Sequence, residues 1–152
     1  MGNAFAGNVQ HTIDPKGRVT IPAAYREALG DGFTIGLNNQ LNAIALYPAW
    51  RWQEIEKDLS RIPQTDVTAM RYVRLINGNS FPASELDGQG RVLLPAMLRA
   101  KTGMDKQIRF VGLGSCLEVW DEDRYLAETA SAEADSGKLL EYVNQQYYQP
   151  RA

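Results

Sequence analysis

The chain has 152 residues, 44% of them hydrophobic and 22% charged, with a formal net charge of −2 and a single cysteine. That length supports one full core, or two small units sharing one. No apolar run approaches the roughly 18 residues that a membrane span needs, and the start lacks the basic and apolar regions of a secretion signal, so a cytoplasmic protein is expected. Cys116 has no partner for an internal disulfide, and His11 is the only histidine, which leaves neither a His-rich metal site nor a Cys/His cluster. No cofactor, metal or small-molecule substrate is expected. Charge is unevenly spread: residues 1–110 hold 13 Lys/Arg and 10 Asp/Glu, whereas residues 111–152 hold 3 and 8. The sign of the whole chain is therefore a poor guide to any one face.

Taken in chain order, Asp14-Pro15-Lys16-Gly17 is a turn sequence: Pro presets φ at the second position and Gly accepts φ > 0 at the fourth. His11 and Ile13 before it, and Val19 and Ile21 after it, alternate as on strands with one buried face, which predicts an opening hairpin. Pro22 then marks the first helical position of a short helix that stops at Gly30. A second strand pair is expected over Gly32–Leu37 and Ala43–Tyr47. Trp50–Ile62 places Trp52, Ile55, Leu59 and Ile62 three or four residues apart, as on one helical face, and Pro63 ends it. Val67–Ile76 reads as a further helix, carrying Arg71 and Arg74.

At an offset of 73 residues the pattern returns. Asp14/Asp87, Gly17/Gly90, Arg18/Arg91, Val19/Val92, Pro22/Pro95, Ala23/Ala96, Arg26/Arg99 and Gly30/Gly103 coincide. The second copy thus has its own turn, Asp87-Gly88-Gln89-Gly90, apolar positions at Leu86, Val92 and Leu94, and strands over Gln107–Val111 and Cys116–Trp120. Each copy reads β-β-α-β-β, and the fold class is α+β. Helices are expected over Asp121–Ala134 and Lys138–Tyr148. The resulting division is 7–52 for the first repeat, 53–80 for connecting helices, 81–125 for the second repeat and 126–152 for C-terminal helices, within one composite domain.

The repeated feature with chemistry in it is Asp-x-x-Gly-Arg at a turn. Asp14 and Asp87 suit capping of the turn's backbone N–H groups, and Gly17 and Gly90 suit its unusual dihedrals. Arg18 and Arg91 fall on the outward side if Val19 and Val92 point in, and Lys16 adds a cation to the first turn alone. A protruding loop with guanidinium and ammonium groups is a natural probe of phosphates or base edges. Two rival readings stand beside this one. Paired aspartates could share a proton as in an acid protease, but each has a cation four residues away instead of a second carboxylate. Trp50, Trp52 and Trp120 could anchor a protein partner, although burial in the core or between protomers suits them better. His11 reads as a core-facing residue and Cys116 as buried and inert.

The stretches His11-Thr12-Ile13-Asp14-x-Lys16-Gly17-Arg18-Val19-x-Ile21-Pro22-Ala23 and Leu86-Asp87-x-Gln89-Gly90-Arg91-Val92-x-Leu94-Pro95 resemble the paired signature of the MraZ family, related to AbrB-like swapped-hairpin proteins. The resemblance runs from about Gly7 to Tyr125 and leaves the residues through Ala6 unassigned. It implies a pseudo-twofold β-barrel with exchanged hairpins, a ring-shaped homo-oligomer, and a cytoplasmic, nucleoid-associated transcriptional regulator of division and cell-wall genes. It also implies binding of double-stranded promoter DNA at short direct repeats, with Lys16 and Arg18 at the main contacting positions. Arg91 takes the equivalent place in the second copy, where Gln89 replaces the basic residue.

Overall fold

Asn8–Thr12 forms strand β1 and Arg18–Thr20 forms β2, one on either side of the first turn, but the two do not pair with each other. The structure, a computed structural model, describes residues 4–148. In order there follow α1 (Ala23–Leu29), β3 (Phe33–Leu37), β4 (Ile44–Tyr47), α2 (Ala49–Ser60), α3 (Val67–Asn77), β5 (Phe81–Ser84), β6 (Arg91–Leu93), α4 (Ala96–Lys101), β7 (Gln107–Gly112), β8 (Leu117–Asp121), α5 (Glu122–Ala134) and α6 (Ser136–Val143), with a π-helical turn at Asn144–Tyr148. Of the described residues, those through Glu122 form one compact unit and those from Asp123 a second. No helix among the described residues is long and apolar enough to cross a membrane.

The opening hairpins expected in each copy are therefore corrected. Each turn does close locally, through Gly17 N–H to Asp14 O at 2.9 Å and Gly90 N–H to Asp87 O at 3.0 Å. Past the turn the strands part and pair across copies. β1 runs antiparallel to β7, β5 antiparallel to β3, and β2 antiparallel to β6. The larger sheet has the order β1-β7-β8-β4-β3-β5. Exchanging the two copies reverses that order and leaves it otherwise unchanged. At its centre Ile44 faces Val119 and Leu46 faces Leu117. The pairing is less regular at the β5 edge: the register shifts between Phe33 and Ile35, Ala83 has φ 56°, and Pro82 offers no N–H to the ladder.

One hydrophobic core draws on both copies. Val19, Ile21, Tyr25 and Leu29 from the first pack in the same cluster as Val92, Leu94, Leu98, Ile108 and Phe110 from the second. Burying each such side chain contributes about 1.5–3 kcal/mol, and the buried residues of both copies form a single cluster. A second cluster joins Trp52 of α2 to Tyr47, Ala45 and Cys116, with Ile55 and Ile76 packed on it, as the spacing along α2 predicts.

Further expectations change. Pro22 and Pro95 flank their helices at the N-cap and do not begin them; with ψ of 138° and 134° they remain extended, and Pro48 before α2 repeats this at 154°. A proline there leaves no unsatisfied donor and turns the chain from strand to helix. Phe5 and Ala6, which carry no expectation from the sequence, also have a structural role. Phe5 is buried, exchanges backbone hydrogen bonds with Gly114, and lies beside Tyr25, whose hydroxyl donates to Ala6 O at 2.7 Å. In the C-terminal unit, α6 starts at Ser136 and gives way to the π-turn after Val143, earlier at both ends than expected. Asp121 closes β8, so α5 begins one residue late.

Each turn glycine is gripped from the other copy. The Arg99 guanidinium sits where a Cβ on Gly17 (φ 88°) would lie 2.7 Å from its Nη2, and a Cβ on Gly90 (φ 74°) would collide with Arg26. Gly17→Ala is expected to destabilise by about 1–2 kcal/mol, chiefly through left-handed strain, with a smaller part from displacing the guanidinium at the flexible end of Arg99; for a chain this size that is a fall in Tm of a few degrees per kcal/mol. Pairing it with Arg99→Ala should cost less than the sum of the single changes. Thermal denaturation of the four proteins checks both statements, and strict additivity would show that the contact carries no energy.

Candidate nucleic-acid interface

The two turns are built alike, atom for atom. In the first, Asp14 Oδ1 accepts from the backbone N–H groups of Lys16 at 3.0 Å and Arg18 at 2.8 Å, while Oδ2 accepts from Arg18 Nε at 2.7 Å. In the second, Asp87 Oδ1 accepts from Gln89 N–H at 2.8 Å and Arg91 N–H at 2.9 Å, and Oδ2 from Arg91 Nε at 2.9 Å. One carboxylate thus shapes the turn and also aims the arginine. Backbone donation from Arg18, and in the second turn from Arg91, is the main influence holding these carboxyls below their ordinary pKa. Each pairing engages Nε alone. Among the described residues no hydrogen bond occupies the Nη atoms of Arg18 or Arg91, so the outer edge of each guanidinium is available to a ligand.

Strand register decides where these groups point. Arg18 pairs with Leu93, Val19 with Val92, and Thr20 with Arg91. Directly paired residues share a face and successive residues alternate. Val19 and Val92 are buried, which puts Arg18, Thr20, Arg91 and Leu93 together on the outer face of a two-stranded ribbon. The turns cap opposite ends: Gly17 O accepts from Leu94 N–H and Gly90 O from Ile21 N–H, both at 2.9 Å. Four residue steps, from Gly17 to Ile21, separate the ends, roughly 13 Å at about 3.3 Å per residue. One end carries exposed Lys16, with Arg18 and Leu93; the other carries exposed Gln89, with Arg91 and Thr20.

Arg18 and Arg91 therefore share one face, the exposed Lys16 and Gln89 lie in the turns at its two ends, and Asp14, Gly17, Asp87 and Gly90 belong to those same turns. Asp14 and Asp87 are not brought together: they lie at opposite ends of the ladder, each ion-paired to its own arginine. His11 is half-buried, edge-on to Phe110. Cys116 is buried, and that burial pushes its thiol pKa up to about 11, so it is not a ready nucleophile. Trp52 and Trp120 are buried and Trp50 is half-buried.

Sequence reasoning saw Arg26 and Arg99 as repeated residues without a role. Each donates through Nε to its own helix approach, Arg26 to Ile21 O at 2.8 Å and Arg99 to Leu94 O at 3.0 Å, and lays its guanidinium on the turn glycine of the other copy. Their recurrence at the 73-residue offset beside a recurrent glycine was the available signal.

The carboxylate frame has a pH consequence. A group whose folded pKa is depressed adds stability above its unfolded pKa and loses that contribution as pH falls through the folded value. Stability is accordingly expected to drop as pH is lowered through and below the ordinary aspartate value of 3.8. The double variant Asp14→Asn/Asp87→Asn should be less stable at neutral pH and show a shallower acid dependence. Urea denaturation at several pH values measures this, and parallel curves for the two proteins would contradict it.

The sequence also has identifiable relatives. Residues 4–75 and 82–141 match the family described as "MraZ protein, putative antitoxin-like". A protein of Desulforamulus reducens named transcriptional regulator MraZ is 38% identical over 141 residues, covering 91% of this chain and 96% of the relative. The protein of the same name from Moorella thermoacetica is 39% identical over 144 residues, covering 91% and 98%. That from Saccharophagus degradans is 37% identical over 140 residues, covering 90% and 93%. With the family matched over nearly all of the described residues and full-length relatives at this identity, the chain belongs to the MraZ family.

Proposed function

We propose that this protein is a transcriptional regulator that binds double-stranded DNA through the outer face of the β2–β6 ribbon. The observation that carries the reading is the ribbon itself: two arginines, each held by an aspartate through Nε with its outer edge open, between turns bearing Lys16 and Gln89. A two-stranded ribbon fits the major groove, where an arginine edge matches guanine and a glutamine matches adenine. Relatives named transcriptional regulators support the role.

A single ribbon carries too few cations for tight binding at physiological salt. The architecture proposed here is the pseudo-twofold swapped-hairpin barrel of AbrB-like proteins, assembled into a homo-oligomeric ring. A ring uses a heterologous interface, so neighbours are related by rotation and present their ribbons in the same sense. Such an assembly selects direct repeats, where a twofold dimer would select palindromes. Linking several ribbons raises avidity by roughly 10²–10⁴, which allows a protein of net charge −2 to hold DNA. The sites are placed in the promoter of a division and cell-wall gene cluster, and the protein in the cytoplasm at the nucleoid. A second reading, a protein-interaction or antitoxin-like module, draws on the family description and on the exposed Leu126, Leu139, Leu140 and Tyr142 of the C-terminal unit.

Binding to the DNA upstream of the protein's own gene, measured by gel shift between 50 and 200 mM salt, tests the proposal. With about 6–10 phosphates contacted, affinity should fall by roughly 10³–10⁵ across that range. Arg18→Ala should abolish selective binding with the oligomer intact, and Arg91→Ala should weaken it less, since its turn lacks a lysine. No selective binding by an intact oligomer at low salt would favour the interaction-module reading.

A further inference from the structure

Leu93 is out of place on a solvent-facing ribbon. It is 56% exposed and directly opposite Arg18, and its neighbour Leu94 donates its N–H to Gly17 of the Lys16 turn. The position it matches in the first copy is Thr20, half-buried opposite Arg91. The core takes nothing from Leu93: the inward face is filled by Val19 and Val92, with Ile21 and Leu94 beyond them. A leucine here therefore gains little from folding and exposes apolar surface amid cationic and polar groups.

In the major groove that combination has a use. The thymine C5-methyl is the one apolar group a base presents there, and small apolar side chains contact it. Arginine edges read guanine in the same groove. Side chains directly opposite on a ribbon have Cβ atoms about 4.5–5.5 Å apart, which places Arg18 and Leu93 over the same or adjacent base pairs. The other end of the ribbon, with Gln89, Arg91 and Thr20, offers a different set of groups.

We propose that Leu93 is a specificity-determining residue that packs on a thymine methyl beside the base read by Arg18, giving the ribbon a fixed direction of reading. This rests on the DNA-binding reading above and goes beyond it. A symmetric ribbon would read both orientations of a site alike. The differences Lys16/Gln89 and Thr20/Leu93 remove that equivalence, and each ribbon in an assembly then reads its box in one sense.

The test starts by selecting preferred duplexes from a randomised library with the full-length wild-type, Arg18→Ala and Leu93→Ala proteins. Each thymine of the wild-type winner is then replaced singly by uracil, which removes only the methyl group, and binding is read by fluorescence anisotropy. The expected result is one thymine, next to a guanine of the wild-type box, where uracil weakens wild-type binding by roughly 3- to 10-fold. Leu93→Ala should bind the thymine and uracil duplexes equally, and Leu93→Met should retain discrimination. The proposal is overturned if uracil weakens both proteins alike, if Leu93→Ala selects the wild-type motif unchanged, or if light scattering shows that Leu93→Ala breaks the oligomer. Loss of selection in Arg18→Ala together with an unchanged Leu93→Ala motif would overturn this inference alone. Failure of the wild-type protein to select any sequence would overturn it together with the DNA-binding reading.

Discussion

A ladder of three residue pairs cannot hold itself together in water, and β2 with β6 is such a ladder. What holds it is reciprocity. Each turn lends a carbonyl to the residue after the other copy's strand, Gly17 to Leu94 and Gly90 to Ile21. Each helix returns an arginine to the other copy's turn glycine. The chains leading into and out of the ribbon are then anchored in the larger sheet by pairing β1 with β7 and β5 with β3. Loosening one turn withdraws support from both strands, so the ribbon is rigid only while both copies are in place.

That rigidity gives the outer face its chemistry. A long cationic side chain on a mobile loop loses much of its binding energy to ordering. Here the aspartate shapes the backbone and orients the guanidinium before any ligand arrives, leaving one edge available. The same carboxylate lowers the net positive charge of the turn. The structure accordingly favours placement of charge over amount of charge, in keeping with a chain whose net charge is −2.

Much of this was legible in the sequence because turn chemistry and alternation are local. Asp14, Gly17, Asp87 and Gly90 announce their turns, and strands β3, β4, β7 and β8 fall within a residue or so of their expected limits. Pairing partners were not legible in the same way. Alternation at Ile13, Val19 and Ile21 says that a face is buried but not which strand lies alongside, and a turn between two strands favours the hairpin that the structure does not contain. Arg26 and Arg99 stand out only as a repeated pair, because the glycine that each guanidinium lies against belongs to the opposite copy. Phe5 gave no signal because a lone aromatic near an end has no periodicity. Leu93 stands between Val92 and Leu94, so alternation already turns it outward, but only the register shows that it stands opposite Arg18.

The central claim is that the two copies form one interlocked unit in which the ribbon is a joint product. Native-state hydrogen exchange tests it most directly, followed at the amides of Ile21 and Leu94, which donate to the opposite turns, and of Val9 and Phe110 in the β1–β7 pair. The account predicts that Ile21 and Leu94 open with the same free energy, close to that of global unfolding, and that Gly17→Ala lowers protection at both. Independent opening, with the amides of one copy exchanging at a distinctly lower free energy while the other stays protected, would contradict it.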